Sequence, residues 1–431
     1  MIPLRRFFGK LRLLLVGGGR DHLEFLRRLA ARPISGIELT VVSPSPRKLC
    51  SWMVPGYLRG VYSEEESSID LARLVARAGG RFIAGRAVRI HDTQLIGGRS
   101  LIIPDWPRKV HLQDGSKITY DLVSFAVGSN STGDPEPPDR EPQPVRPGAR
   151  MVAVRERLLE LARRTGECRV VVAGGGAGGA EVALAIARLL DDAGVSRQVT
   201  FIHQGVFLIG HPERFRQHAL EILVARGITV HPDIDEIVAG PKTVKIRSHR
   251  SLGDVESMTE TMRVQALKDF FANPMIDQGE IPSDLTVWMV DAVLQTLFDR
   301  SNLETYQHRP LVHLSLQCVR RPRMFCSRGS GEVVLPGHVG RFIIENPMRV
   351  PPYPPIEASY ARAEATLWFS LRAVLEGKEP PDPIRERRVV SLLDTGDGRA
   401  LHGSRGNVEH TEEALRLKDR LDRRRVARYR V

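Results

Sequence analysis

The feature that most constrains this chain is a supersecondary pattern that occurs twice. Leu11 to Val16 is a short apolar run ended abruptly by Gly17, Gly18 and Gly19. Leu23, Leu26 and Ala30 then recur at helical spacing between about His22 and Ala31, and Ile37 to Val42 is a second apolar run. About 155 residues further on the same order returns. Arg169 to Ala173 leads into Gly174-Gly175-Gly176-Ala177-Gly178-Gly179, a helical stretch from Glu181 to Leu190, and the run Val199 to His203. Runs that are apolar on both faces read as buried parallel strands. Strand, glycine-rich turn, helix and strand together open a doubly wound nucleotide-binding fold.

The glycines have a physical purpose. The chain must bend sharply and bring its backbone close to a pyrophosphate, while the helix that follows offers that anion free N–H groups and partial positive charge. Gly174, Gly176 and Gly179 fill all three glycine positions of the second turn. In the first turn Gly17 and Gly19 are in place, but His22 occupies the third position, where it reads as a helix-start packing residue rather than a catalytic one. The end of the second strand often carries an acid that binds ribose hydroxyls. Here it reads Ser43-Pro44 in the first unit and His203-Gln204 in the second, with no carboxylate in either. In the second unit this weakens the case for NADH and leaves NADPH, relaxed binding or no binding open.

Between the units, Asn130 to Arg150 is rich in proline and acidic residues and reads as a linker. Val110 to Leu112 and Ile118 to Tyr120 flank Asp114-Gly115, a hairpin turn, and Leu122 to Val127 is a further strand. Asp284 to Val290 and Met324 to Cys326 read as late strands, Val152 to Arg164 and Ile356 to Leu375 as helices. At the C-terminus Thr411 is placed to cap a helix with Glu412 and Glu413 in its first turn and arginines in its last. Ala414, Leu417 and Leu421 line one narrow face of that helix amid basic residues. This suggests either peripheral contact with a membrane surface or, better supported, packing against the rest of the protein. No apolar run approaches the roughly 20 residues needed to span a bilayer. Cys50, Cys168, Cys318 and Cys326 form no CxxC pair, which argues against zinc and against a paired redox disulfide, and four scattered thiols suit a reducing cytoplasm. Cys50 alone is placed to act as a redox thiol. The net charge of +12 favours an anionic lipid or acidic protein partner over nucleic acid, since no nucleic-acid-binding signature accompanies it.

Several segments together resemble the pyridine nucleotide-disulfide oxidoreductase superfamily, on the branch with type II NADH dehydrogenases and sulfide:quinone reductases. They are most similar to the NADH-dehydrogenase-like FAD proteins associated with selenophosphate synthetase. The segments are Val16-Gly17-Gly18-Gly19 with His22, Val42 to Pro46, Met53-Val54-Pro55-Gly56, Ile69-Asp70-Leu71, Tyr120-Asp121-Leu122, Gly128-Ser129, Gly174 to Glu181, Val287-Trp288, Ser391 to Ala400, and Leu417 to Arg420 with Asp422 to Arg424. The resemblance implies an α/β fold with two Rossmann-like domains, one for FAD and one for NAD(P), plus a C-terminal segment. The implied division is residues 1–130 for the first part of the FAD domain, 131–150 for the linker and 151–283 for the NAD(P) domain. Residues 284–345 would form the second part of the FAD domain and 346–431 a C-terminal helical segment. It also implies that Gly17, Gly18, Gly19, Ser43 and Gly128 line FAD and that Gly174, Gly176, Gly179 and Glu181 line NAD(P)H.

Two departures stand out. Asp291 replaces a glycine of the family pattern after the late strand, adding bulk and charge. The family's alanine-alanine-glycine-aspartate motif reads Cys326-Ser327-Arg328-Gly329-Ser330, so Ser330 is the nearest equivalent of the FAD-binding aspartate. Losing that charge-assisted contact costs about 1.5–3 kcal/mol, and Arg328 is the residue placed to compensate. Two main expectations follow: an FAD-dependent NAD(P)H oxidoreductase that reduces a quinone-like or unknown acceptor, or a non-catalytic relative that keeps the fold and serves as a subunit or oligomeric partner in a larger assembly. A peripheral position on the inner membrane face goes with the basic C-terminal helix.

Overall fold

The computed structural model describes residues 9–127 apart from 92–94, 97, 98 and 101–107, and 149–249 apart from 235 and 241. It also describes 275–289, 296–333 apart from 300, 302, 304, 307, 308, 328 and 329, then 356–381, and 391–430 apart from 405 and 406. Strand β1 (Leu11–Val16) has almost no exposed residue, which is why its sequence is apolar on both faces. It leads through the first glycine turn to helix α1 (Arg20–Ala31) and strand β2 (Ile37–Ser43). A short helix α2 (Val54–Leu58), strand β3 (Arg81–Ala84) and strand β4 (Leu122–Phe125) complete the first unit. The strands run in the parallel order β3-β2-β1-β4.

The second unit repeats this plan. Helix α3 (Ala149–Thr165) precedes strand β5 (Glu167–Ala173), the second glycine turn, helix α4 (Ala177–Asp192), and strands β6 (Ser196–Ile202), β7 (Ile228–His231) and β8 (Leu285–Trp288). Their parallel order is β7-β6-β5-β8. The strand at 285–288 therefore belongs to the second sheet, not to the returning part of the first domain, and the expected boundary at residue 284 moves to the far side of β8. The physical reason is pairing: β8 runs in register beside β5, with Val170 opposite Leu285 and Ala173 opposite Trp288. The return to the first sheet is made by β9 (Arg321–Cys326), parallel to β4 with Val123 opposite Met324.

The duplication extends to a detail that spacing alone does not reveal. Asp121 accepts from Arg12 through its backbone N–H (2.9 Å), Nε (3.1 Å) and Nη2 (2.9 Å). Asp284 accepts from Arg169 through the same three groups at 3.0, 3.0 and 2.7 Å. Each clip joins the start of the central strand to the start of its neighbour, at the end of the sheet opposite the glycine turn. A bidentate arginine–carboxylate pair holds its geometry better than a simple ion pair, so both sheets are pinned in register at their far ends.

Later described segments pack against these two units. Helix α5 (Ile356–Leu375) lies on α1, with the Phe25 and Trp368 ring centroids 5.4 Å apart. Strands β10 (Ser391–Asp394), β11 (Ala400–Ser404) and β12 (Asn407–Thr411) form an antiparallel sheet. That sheet delivers the chain to helix α6 (Glu412–Ala427), and Thr411 Oγ1 accepts from the Ala414 N–H at 3.2 Å, the expected cap. The face of α6 turned to the protein is not the expected one. Leu421 is 41% exposed, whereas Ala414, Asp422 and Val426 are buried. With Lys418 between Ala414 and Asp422, a polar stripe at i, i+4 spacing faces inward.

Candidate functional site

The second glycine turn is shaped to receive a ligand. A Cβ on Gly174 would stand 2.5 Å from the Met289 carbonyl carbon, and one on Gly179 would stand 2.0 Å from the Gly174 oxygen. Both positions need glycine so that the helix can close on the strand. Gly176 differs: it is exposed and nothing lies within 4 Å of where its Cβ would be. It is the N-cap residue of α4, with no side chain of its own or of a neighbour on the first amides. The amides that precede Gly179, whose own N–H donates to the Gly176 carbonyl at 3.0 Å, carry no such cap, the arrangement a pyrophosphate needs.

The first turn is closed differently. Gly17 and Gly19 both press on Ala126, at 2.3 and 2.6 Å for the nearest atom to an added Cβ. His22, in the third glycine position, is fully buried and acts as a peg. Its Nδ1–H donates to the Gly17 carbonyl (2.7 Å), and its Nε2 accepts from the Ser124 hydroxyl (2.9 Å). Burial, with a small push from Lys48, lowers its pKa to about 4, so the ring is neutral. The packing role expected for His22 is what the geometry shows. The α1 amides also lack a side-chain cap at Gly19.

Beside this turn stands Lys48, whose stem lies 3.5 Å from where a Gly18 Cβ would be. Protein atoms surround it, yet part of its surface is open, as for a group in a cleft wall. Among the described residues its ammonium has no hydrogen bond or ion pair. Burial, together with Arg20, lowers its pKa to about 8. Sequence reasoning did not single out Lys48. The usable signal was a lysine shortly after β2, in the stretch that otherwise lacked an acidic ribose ligand.

Ser43 ends β2 and is buried. Ser330 is also buried, and its hydroxyl accepts from the Val127 N–H at 3.1 Å. Gly128, Arg328 and Asp291 lie outside the described residues. Glu181 requires a correction. Its carboxylate is turned to the C-terminal segment, accepting from the Asp394 N–H (2.9 Å) and lying 3.4 Å from Lys418 Nζ. Lys418 in turn donates to Asp422 (2.7 Å), and Arg59 pairs with Asp394. Burial works against the Lys418 ammonium, but Glu181 and Asp422 outweigh it and hold the group protonated. Tyr62 donates to Asp419 (2.5 Å), and Arg428 pairs with Glu24 of α1 (3.0 Å). Helix α6 thus latches both nucleotide units, and the reason lies in contacts more than 200 residues apart in sequence.

All four cysteines are buried and unbridged. Burial pushes the Cys50 thiol up to about 12, against the pull of Lys48 and Arg20, which removes it as a redox thiolate.

Residues 12–305 match the model of the pyridine nucleotide-disulphide oxidoreductase family. The chain belongs to that family. Members of the family bind FAD and NAD(P)H. Among solved structures, this oxidoreductase is similar to the sulfide:quinone oxidoreductase of Aquifex aeolicus, with 16% identity over 97% of this chain and 92% of that one and a TM-score of 0.68. It is also similar to NDH2 of Plasmodium falciparum in complex with NADH, with 13% identity over 97% of both chains and a TM-score of 0.69. The water-forming NADH oxidase of Lactobacillus brevis bound to NADH matches with 16% identity over 91% of this chain and 75% of that one, at a TM-score of 0.56. These likenesses establish the fold. No curated protein matches the sequence.

The two turns of this oxidoreductase fit the two nucleotides of its family. The open Gly176 and uncapped α4 suit one pyrophosphate, and the uncapped α1 with the nearby Lys48 ammonium suits the other. None of the described helices is long and apolar enough to cross a membrane.

Proposed function

We propose that this protein is an FAD-dependent NAD(P)H oxidoreductase that delivers electrons to a quinone-like acceptor. The observation that carries the reading is the pair of uncapped helix starts, each at the end of a glycine turn in one of two equivalent sheets. In the first unit the α1 amides and Lys48 hold the FAD pyrophosphate, while His22 pegs the turn to β4. In the second, the α4 amides hold the nicotinamide nucleotide. FAD held there would supply the hydride and electron transfer that links the nicotinamide nucleotide to the acceptor. The α6 latch fixes the two units relative to each other, which sets the approach of one nucleotide to the other. Unbridged cysteines, with the Cys50 thiol pushed up to about 12 by burial, argue against a route through a redox disulfide of this chain, and the likeness to a sulfide:quinone oxidoreductase supports a quinone.

One observation favours a non-catalytic member that acts as a subunit of an assembly. Ser330, where the FAD-binding aspartate would be, spends its hydroxyl on the protein's own Val127 N–H. An absorbance spectrum of the purified protein, with denaturation to release flavin, separates the two readings. Near-stoichiometric FAD that bleaches anaerobically with NADH or NADPH supports the oxidoreductase, and no flavin after incubation with excess FAD overturns it. The outer face of α6, with Arg420 and Arg424 exposed, is the surface we assign to an anionic partner. Flotation with anionic but not neutral vesicles would place that partner in a membrane.

A further inference from the structure

The helices that start at the two glycine turns carry a glutamate at the same place. Glu24 stands five residues after Gly19, the N-cap of α1, and Glu181 stands five residues after Gly176, the N-cap of α4. Both side chains are buried, at 2% and 9% exposed. A carboxylate taken that far from water needs a cation, and in both units the C-terminal helix brings one. Lys418 Nζ lies 3.4 Å from Glu181, and Arg428, the C-cap residue of α6, lies 3.0 Å from Glu24. These two cations are ten residues apart in the chain, which is about 15 Å along a helix. An element that occurs once thus meets the same position of both duplicated helices.

The two grips differ. Glu24 also accepts from Arg27 Nε (2.8 Å) and Arg28 Nε (2.5 Å), the i+3 and i+4 residues of its own helix. On α4 those two positions hold the buried Leu184 and Ala185, and Lys418 meets the Glu181 carboxylate from across the fold. The second unit is therefore the one whose charge balance depends on α6.

That dependence falls beside an anion site. The fifth residue of a helix lies about 7–8 Å along the axis from its N-cap, and charges this close in a partly buried setting are little screened by salt. With α6 docked, the Lys418 ammonium offsets the Glu181 carboxylate. When α6 lifts, the ammonium leaves with it, and the start of α4 becomes more negative where a diphosphate must bind. We propose that α6 is a strap that sets the affinity of the second glycine turn for its nucleotide, with Lys418 a positioning residue that acts through Glu181. This rests on the reading of that turn as a nicotinamide-nucleotide site. The coupling is reciprocal: what docked α6 adds to nucleotide binding, bound nucleotide adds to the docking of α6.

Nucleotide affinity and hydrogen exchange over 412–427 are measured on the full chain, with no turnover required. In the natural protein, saturating NADH or NADPH should slow the exchange of α6 by about tenfold, the effect of one nearby charge. Lys418→Met should bind the same nucleotide about tenfold more weakly, by the same arithmetic. Lys418→Met with Glu181→Gln should bind it within about twofold of the natural protein, because the repelling charge is gone although the ion pair is still missing. A double variant as weak as Lys418→Met would make the loss structural and overturn the proposal. Exchange of α6 that nucleotide leaves unchanged overturns it too, a result that needs no variant to fold and leaves the nucleotide site itself standing. Failure of the natural protein to bind either nucleotide overturns the second turn as a nucleotide site and this inference with it.

Discussion

Replacing Lys418 by methionine should unfasten the C-terminal helix. Lys418 is 11% exposed, and the carboxylates it meets, on Glu181 and Asp422, are 9% and 8% exposed. Methionine preserves most of the volume, so the effect is electrostatic. The change takes the ammonium from two buried carboxylates, although Arg425 still faces Asp422 at 3.8 Å, and Arg59 is engaged with Asp394. Breaking a buried pair by removing one partner costs about 3–5 kcal/mol. In a cooperative unit of 150–250 residues that corresponds to a fall of about 6–20 °C in melting midpoint. Urea and thermal unfolding give the magnitude. Hydrogen exchange over 412–427 should show the helix opening before the two sheets, because the latch is local to it. The double variant Lys418→Met with Asp422→Leu should recover part of the loss by removing one stranded carboxylate. A loss below about 1 kcal/mol for Lys418→Met would refute the reasoning, since it would mean the carboxylates are hydrated in the folded protein.

Three further outcomes are expected. His22 is neutral in the folded protein and ordinary when unfolded, so its contribution is complete above pH 6.5 and is lost as pH falls from 6.5 toward its folded pKa of about 4. A fall of that size corresponds to about 3 kcal/mol, and His22→Gln should flatten the stability–pH curve over that window in urea titrations. Gly176→Asp should leave stability unchanged or raise it by a few tenths of a kcal/mol, since aspartate is a good N-cap, while abolishing nicotinamide-nucleotide binding through charge repulsion. Gly179→Ala, by contrast, should cost about 1–3 kcal/mol from overpacking; calorimetry and a binding titration check both. Cys50 should resist alkylation in the native protein at pH 8 and react only on unfolding, because its thiol is buried and pushed up to about 12; rapid native labelling seen by mass spectrometry would contradict this.

Much of the architecture was legible in the chain itself because it is encoded locally. An apolar run closed by glycines and followed by a helical period dictates strand, turn and helix wherever it occurs, so both units, the start of α6 and its Thr411 cap could be read from neighbouring residues. The same locality identified the glycines, because close backbone approach is a property of the turn that contains them. What the sequence could not determine depends on partners brought together from far apart. The strand 285–288 has no local mark of its sheet, and only pairing with β5 assigns it to the second unit. Glu181 follows the second glycine turn closely enough to pass for a nucleotide ligand, and it became a latch residue only because α6 returns with Lys418. The face of α6 that packs inward runs along Ala414, Lys418, Asp422 and Val426, so hydrophobic periodicity placed Ala414 correctly and missed the buried charges that turn Leu421 outward. Lys48 and His203 are ordinary residues in the sequence. Among the described residues, only tertiary structure leaves one without an ion pair beside a helix start and the other without a hydrogen-bond donor beside a glycine turn, because satisfaction depends on neighbours that are distant in sequence.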